Sequence, residues 1–152
     1  TSSQKWTIYT SCRKYKINYL AALVQLQKES SLVMNDNVHC PYYVRVRRAM
    51  GYDCKNVRVD KNGYGVGRYN TFEQQMDLGL KCMRMHFNQY RPGKEIELLS
   101  YEGKFAPWNA ATYSLYKYTP FFGDAIIYNG IHTVGNRRFM EVWYIFKERL
   151  RK

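Results

Sequence analysis

Ala21-Ala22-Leu23-Val24-Gln25-Leu26-Gln27-Lys28-Glu29-Ser30-Ser31 is the stretch on which the reading of this chain turns. Around it, Ile17, Leu20, Ala21 and Val24 recur at three- and four-residue steps, and Leu23 and Leu26 widen the stripe. That periodicity predicts a largely buried helix over Lys14 to Ser31. Up to Asn35 the chain carries Lys5, Arg13, Lys14, Lys16 and Lys28, and Glu29 is the sole acidic residue in that span. A carboxyl at the end of an apolar helix meets both burial and the negative end of the helix dipole, and both favour the neutral acid. Such a group can hold a proton near neutrality and hand it to a leaving oxygen. The plainer reading is a surface Glu paired with Lys28 or a neighbouring base.

Downstream, Asn35-Asp36-Asn37 signals a turn, and Cys40-Pro41 resets the backbone before a second helical stretch, Tyr42 to Met50, ended by Gly51. Asp53 to Tyr69 holds Asp60, Lys61, Asn62, Gly63, Gly65 and Gly67, a density of turn residues that predicts a loop or short hairpin. Thr71 can cap a helix from Phe72 to about Tyr90, with Met76, Leu80, Met83 and Phe87 on one face, stopped by Arg91-Pro92-Gly93. Glu95 to Ala106 reads ambiguously. Pro107 opens a segment with Ala110, Ala111, Leu115 and Tyr118 at helical steps, ended by Thr119-Pro120. Phe121 to Gly135 reads as a surface loop, and a last helix from Asn136 carries Phe139, Val142, Trp143 and Phe146 along one side. The pattern is that of one mainly α domain over residues 1–152, a helical bundle around a buried helix with a small loop or hairpin region.

Composition sets the partners. With 24 Lys and Arg against 12 Asp and Glu the net charge is +12, which draws the chain toward nucleic acid, an anionic membrane face or the anionic bacterial wall. The charge is dispersed in short clusters, Arg45-Arg47-Arg48, Arg137-Arg138 and the last residues, so solvated surface is the default reading and no specific nucleic-acid site is expected. The apolar run within Leu20 to Leu26 falls well short of the ~20 residues of a membrane span. Thr1 to Trp6 do not read as a secretory signal, although a chain that begins without Met fits one already removed. Cys12, Cys40, Cys54 and Cys82 lack Cys-x-x-Cys spacing, so no metal is expected. Two disulfides or four buried thiols are both compatible with them, and a first bridge would be Cys40 to Cys54. The 15 tyrosines offer flat apolar faces with a hydroxyl, suited to a groove for sugars or bases as well as to a core edge.

Three segments carry a resemblance. The string Ala21 to Ser31 resembles the helix of soluble lytic transglycosylases and goose-type lysozymes, which ends in the catalytic Glu followed by Ser. Gly63-Tyr64-Gly65-Val66-Gly67-Arg68-Tyr69, with Phe72, Gln75 and Gly79, is similar to the Gly-rich segment and glutamine-bearing helix start of the same superfamily, although the usual Gly-Leu-Met-Gln string is absent. Asn109-Ala110-Ala111-Thr112-Tyr113-Ser114-Leu115-Tyr116-Lys117-Tyr118-Thr119-Pro120, then Gly135-Asn136 and Phe139, resembles the Asn-x-Ala-Thr-x-x-Leu-Tyr-x-Tyr-Thr-Pro segment of a lysozyme-like branch of bacterial wall hydrolases.

The resemblance implies a lysozyme-like α+β fold lining a glycan cleft, with Glu29 as catalytic acid. It implies Ser30, Gly65, Gln75, Asn109, Tyr113 and Tyr118 as substrate-binding residues, peptidoglycan as substrate, no cofactor, and a monomer working outside the cytoplasm. In the transglycosylases a single Glu acts first as acid and then as base while the sugar's own hydroxyl attacks, giving an anhydro product. Most glycosidases use two carboxyls, and Asp36, Asp53 and Asp60 read as turn formers, so one clear carboxyl fits the first route while an ordinary lysozyme stays open. His39, His86 and His132 are too scattered for a metal set, and His86, between Met85 and Phe87, reads as a packing residue. Ser30 and Ser31 lack a Gly-x-Ser-x-Gly elbow, and Gly63, Gly65 and Gly67 lack the Lys-Ser/Thr of a phosphate loop. The competing class is a non-catalytic basic module that binds nucleic acid or wall glycan.

Overall fold

Helix dominates the computed structural model, which describes residues 1–34, 40–53, 58–59, 61–63, 65–98, 103–120, 123 and 135–151. The helices are α1 (Ser2–Tyr15), α2 (Tyr19–Ser30), α3 (Tyr42–Arg47), α4 (Phe72–Asn88), α5 (Ala110–Tyr118) and α6 (Gly135–Leu150). Two antiparallel two-stranded pairs accompany them, β1 (Arg58–Val59) with β2 (Gly65–Val66) and β3 (Ile96–Glu97) with β4 (Lys104–Phe105). The mainly helical class is the expected one. Contacts divide the chain into two compact units, Thr1–Lys81 and Cys82–Lys152, with the boundary inside α4.

In the first unit the single helix expected from Lys14 to Ser31 is two helices. Lys16 adopts the left-handed conformation (φ 51°) and returns its N–H to Arg13 and Cys12, ending α1. Asn18 then accepts from the Leu20 N–H at 2.8 Å and starts α2. A short amide side chain that offers the backbone its own acceptor breaks a helix here even though the apolar period runs straight through the break. In α2 Val24, Gln25, Leu26 and Gln27 are buried in succession, so the helix is enclosed on more than one face. Such burial requires its amides to find partners. Gln27 Oε1 accepts from the Val33 and Met34 N–H groups at 3.0 and 2.8 Å.

The expected helix from Tyr42 to Met50 is α3 followed by turns to Gly51, whose φ is +69°. The expected hairpin is β1–β2, in the register Arg58↔Val66 and Val59↔Gly65. Thr71 Oγ1 accepts from the Gln74 N–H at 3.1 Å and caps α4 as expected. Phe72, Met76 and Leu80 are buried on α4, and Cys12, Ala22, Val24, Leu26, Val44, Ala49 and Met50 are buried with them in this unit.

The ambiguous stretch after Glu95 is the β3–β4 hairpin, closed by Leu98 N–H to Gly103 O at 2.8 Å. In the second unit Ile96, Leu98, Tyr113 and Tyr116 form a core against which Tyr90 and Phe105 pack. Ser114 ties α5 to α4 by donating to Met83 O at 2.6 Å. On α6 Asn136, Phe139, Val142 and Phe146 are buried, and Asn136 Nδ2 donates to Thr119 O at 2.7 Å. The loop expected over Phe121 to Gly135 lies outside the described residues except at Gly123 and Gly135, as does the Cys54 partner of the expected Cys40 bridge.

One polar tie fastens α1 to α4 inside the first unit. Asp77 Oδ1 accepts from Lys14 Nζ at 2.6 Å and from the Tyr15 hydroxyl at 2.8 Å. Burial pulls the Asp77 carboxyl upward, but these two donors outweigh it and hold the group below its ordinary value. A carboxylate depressed in the folded state stabilises it above the unfolded pKa, and loses that effect as pH falls through the folded one. Asp77→Asn should therefore lower the urea midpoint at pH 7, and the gap from the native protein should close once pH drops below about 4. A gap of constant size through the acid range would remove Asp77 from the tie.

Candidate active site around Glu29

Glu29 occupies the penultimate position of α2, and its side chain is 24% exposed. The backbone turns there because Ser31 takes φ 50° and closes the helix. Ser30, expected to bind substrate, instead holds the helix end in place: its buried hydroxyl meets Leu26 O at 2.7 Å and Ala49 O at 3.1 Å. Arg45 Nη1 donates to Ser31 O at 2.8 Å, a second tie between the end of α2 and the α3 region.

Among the described residues, three lie against the carboxyl. Lys28 Nζ lies 2.8 Å from Oε1, on a side chain only 5% exposed. Gln25, one turn earlier, donates Nε2 to the same oxygen at 2.9 Å. The buried Gln25 Oε1 has no partner among the described residues. The reverse amide orientation would set oxygen against oxygen, so the carboxylate dictates which end of the amide is satisfied. The third neighbour is Gly51. A Cβ built there would lie 2.6 Å from Glu29 Oε2 and 3.0 Å from its Cδ. Glycine thus serves twice at position 51, for its positive φ and for the carboxylate resting on its Cα. The ion pair with Lys28 is the one that the plainer reading of Glu29 named.

Gln75 holds that glycine in place. Fully buried, it accepts from Met50 N–H at 3.3 Å and Tyr52 N–H at 3.1 Å, and donates to Tyr52 O at 3.0 Å and to Tyr69 O. One carboxamide therefore bonds both residues flanking Gly51 and the chain end leading into α4. Gln75 is thus linked to Glu29 through this loop, as a positioning residue whose own surface is closed to a ligand.

The other expected site residues have the following places. Gly65 pairs with Val59 in the hairpin. Asn109 caps α5, accepting from Thr112 N–H at 2.9 Å. Tyr113 is 1% exposed in the core of the second unit, with Tyr90 5.9 Å away, and Tyr118 is half-buried at the end of α5. Of the acidic alternatives, Asp53 (φ 52°) lies on the Gly51 loop with Arg68 Nε 3.5 Å from its Oδ2, while Asp36 and Asp60 lie outside the described residues. An open groove of about 470 Å³ in the first unit is walled by Gln4, Tyr42, Tyr43, Arg47, Phe72 and Glu73, not by Glu29.

Sequence reading missed Gly51 as a site residue and Gln25 as a partner. The second carried a signal, since Gln25 and Glu29 stand four apart on one helix face. Gly51 carried none beyond its role as a helix stop, because the approach of Glu29 is a tertiary fact.

Comparison with known proteins finds no match to any family model, curated protein or solved structure. Among the described residues no helix is long and apolar enough to cross a membrane.

Two substitutions probe this arrangement. Gly51→Ala should cost about 1–2 kcal/mol from the left-handed backbone alone, and more as its methyl displaces the Glu29 carboxyl. Gln75→Leu should cost more than that, since about 1–3 kcal/mol attends each buried group left without a partner. Urea unfolding of both variants measures this, and native-like stability for Gln75→Leu would refute the clamp.

Proposed function

We propose that this chain cleaves the glycan strands of peptidoglycan, between N-acetylmuramic acid and N-acetylglucosamine, with Glu29 as general acid and then general base in a lysozyme-like domain. The observation that carries this reading is a partly exposed carboxyl at the end of a buried helix, resting on Gly51 in a loop that Gln75 clamps. Two of the three segments on which the family resemblance rests, the Glu29 helix and the start of the Gln75 helix, are thereby joined in one constellation. The third, with Asn109, Tyr113 and Tyr118, enters by resemblance alone.

In this reading the protonated Glu29 gives its proton to the glycosidic oxygen, and the bond to the sugar's anomeric carbon breaks. The step leaves a carboxylate beside the Lys28 ammonium and the Gln25 amide, which offset the charge that has just formed. The carboxylate then takes a proton from the attacking hydroxyl, either the sugar's own or that of water. A single working carboxyl favours the sugar hydroxyl and a 1,6-anhydro product, although Asp53 is a second carboxylate on the same loop. No cofactor enters. The net charge of +12 would concentrate a monomer on the anionic wall, outside the cytoplasm.

A second reading is a non-catalytic basic module for nucleic acid or wall glycan. The Lys28–Glu29 pair favours it, since a carboxylate held by an ammonium can be purely structural. So does a surface patch in which the 66% exposed Trp6 stacks on Tyr9 at 5.4 Å, with the Arg13 guanidinium 5.7 Å from the centre of the Tyr9 ring.

Glu29→Gln keeps shape and hydrogen-bonding reach but cannot carry the proton. Digestion of purified peptidoglycan followed by mass analysis should show turnover down by at least ~10²–10⁴-fold in this variant, with glycan binding retained. The native protein should release fragments ending in 1,6-anhydro sugars. Reducing ends would instead mean water attack, and cleavage by Glu29→Gln at the native rate would overturn the assignment. Sequence-selective DNA binding with no affinity for peptidoglycan would establish the second reading.

A further inference from the structure

Toward the C-terminal end of α4 and just past it, Cys82, His86 and Gln89 follow one another at steps of four and three, a spacing that brings successive side chains together on one side of a helix. Cys82 Sγ lies 3.3 Å from His86 Nε2, and His86 Nδ1 lies 3.4 Å from Gln89 Oε1. An amide oxygen can only accept, so Nδ1 must carry the ring proton in this arrangement. Nε2 is then left with its lone pair facing the thiol. The direction of the whole chain follows: the thiol donates to the ring, and the ring donates to the amide. Cys82 and His86 are both half-buried, neither sealed in a core nor fully in solvent.

The charge states agree with that direction. Burial pushes the Cys82 thiol up from its ordinary value. Burial also pulls His86 down, the Gln89 bond opposes this, and the Lys117 ammonium on α5 adds to the downward pull. The pair therefore rests as a neutral thiol beside a neutral imidazole, with the proton on sulfur and a vacant base next to it. Cys12 offers a contrast within the same chain: it is 1% exposed and burial pushes its thiol to about 11.

We infer that Cys82 is a nucleophilic thiol with His86 as its general base and Gln89 as the positioning residue, a site for acyl transfer from activated esters or thioesters. The reaction is balanced within the three residues and the donor. His86 Nε2 takes the thiol proton as sulfur forms a bond to the acyl carbon. The bond from that carbon to the leaving alcohol or thiol breaks, and the leaving group departs with the proton from His86. The product is an acyl thioester on Cys82, which water can hydrolyse with His86 again as base. The proposal uses residues of the second unit alone and does not depend on the glycan-cleaving reading.

The test uses p-nitrophenyl acetate on the full chain, with p-nitrophenol release followed by absorbance and the acetylated residue located by peptide mass mapping. In the native protein Cys82 should acetylate faster than Cys12, and faster than Cys82 itself in the urea-unfolded chain at the same pH. That comparison needs no variant. His86→Gln should slow acetylation of Cys82 by at least ~10²-fold at neutral pH, with recovery at alkaline pH where the thiolate forms unaided. Gln89→Leu removes the bond that raises His86, so the rising limb of the pH–rate profile should move to lower pH, a shift that a merely structural role would not produce. Equal rates for Cys82 in folded and unfolded chains, or a native rate in His86→Gln, would overturn the proposal.

Discussion

The Glu29 carboxylate lies where it does because residue 51 has no side chain. A methyl group there would stand 2.6 Å from a carboxylate oxygen, and the backbone at φ +69° would resist that methyl even with the space clear. Everything else about the first unit can be read as support for this contact. Ser30 and Arg45 tie the end of α2 to the α3 region. Gln75 fixes the residues on either side of the glycine from the first turn of α4. The Asp77 tie fastens α4 in turn to α1. Polar groups buried in this way are costly unless each finds a partner, so the bonding pattern that satisfies them also fixes the geometry.

Local chemistry was legible in the sequence wherever one or two residues sufficed. Thr71 caps α4 as its type suggests, and Gly51 ends a helical stretch, whereas Asn109, expected on the substrate by resemblance, caps α5. The mainly helical class followed from apolar periodicity, and the short hairpin from glycine density between Asp53 and Tyr69. The split between α1 and α2 was hidden, because Ile17 keeps the apolar period going across a junction that Lys16 and Asn18 make through backbone conformation and capping. Helix α1 itself left little trace: Ser11 and Cys12 are its buried residues, and the rest of its surface mixes exposed aromatic and basic side chains.

For the site, Glu29 and Gln75 stood out by resemblance, but their roles differ from what residue type alone suggests. A glutamine in a glycan-cleaving domain suggests a hand on the sugar, whereas this one is enclosed and holds backbone. Tyr113 is similar, an aromatic residue that packs in a core. Lys28 was visible as a sequence neighbour of Glu29. What sequence could not supply was the burial of its stem, which keeps the ammonium against the carboxylate instead of in solvent. The same limit applied to His86, read as a packing residue, because its bonds to Cys82 and Gln89 depend on rotamers that spacing only permits.

The Gln75 clamp also couples motions that would otherwise be separate. Two amides, Met50 and Tyr52, donate to one oxygen, and that oxygen belongs to the opening turn of α4. Neither amide can exchange its hydrogen with solvent while the carboxamide stays in place, and the carboxamide stays as long as that turn is wound. Fraying of the helix start and opening of the Gly51 loop are then a single event with one free energy, and their exchange rates should rise and fall together. The surface on which Glu29 rests is in this sense as durable as one turn of helix, and no more so.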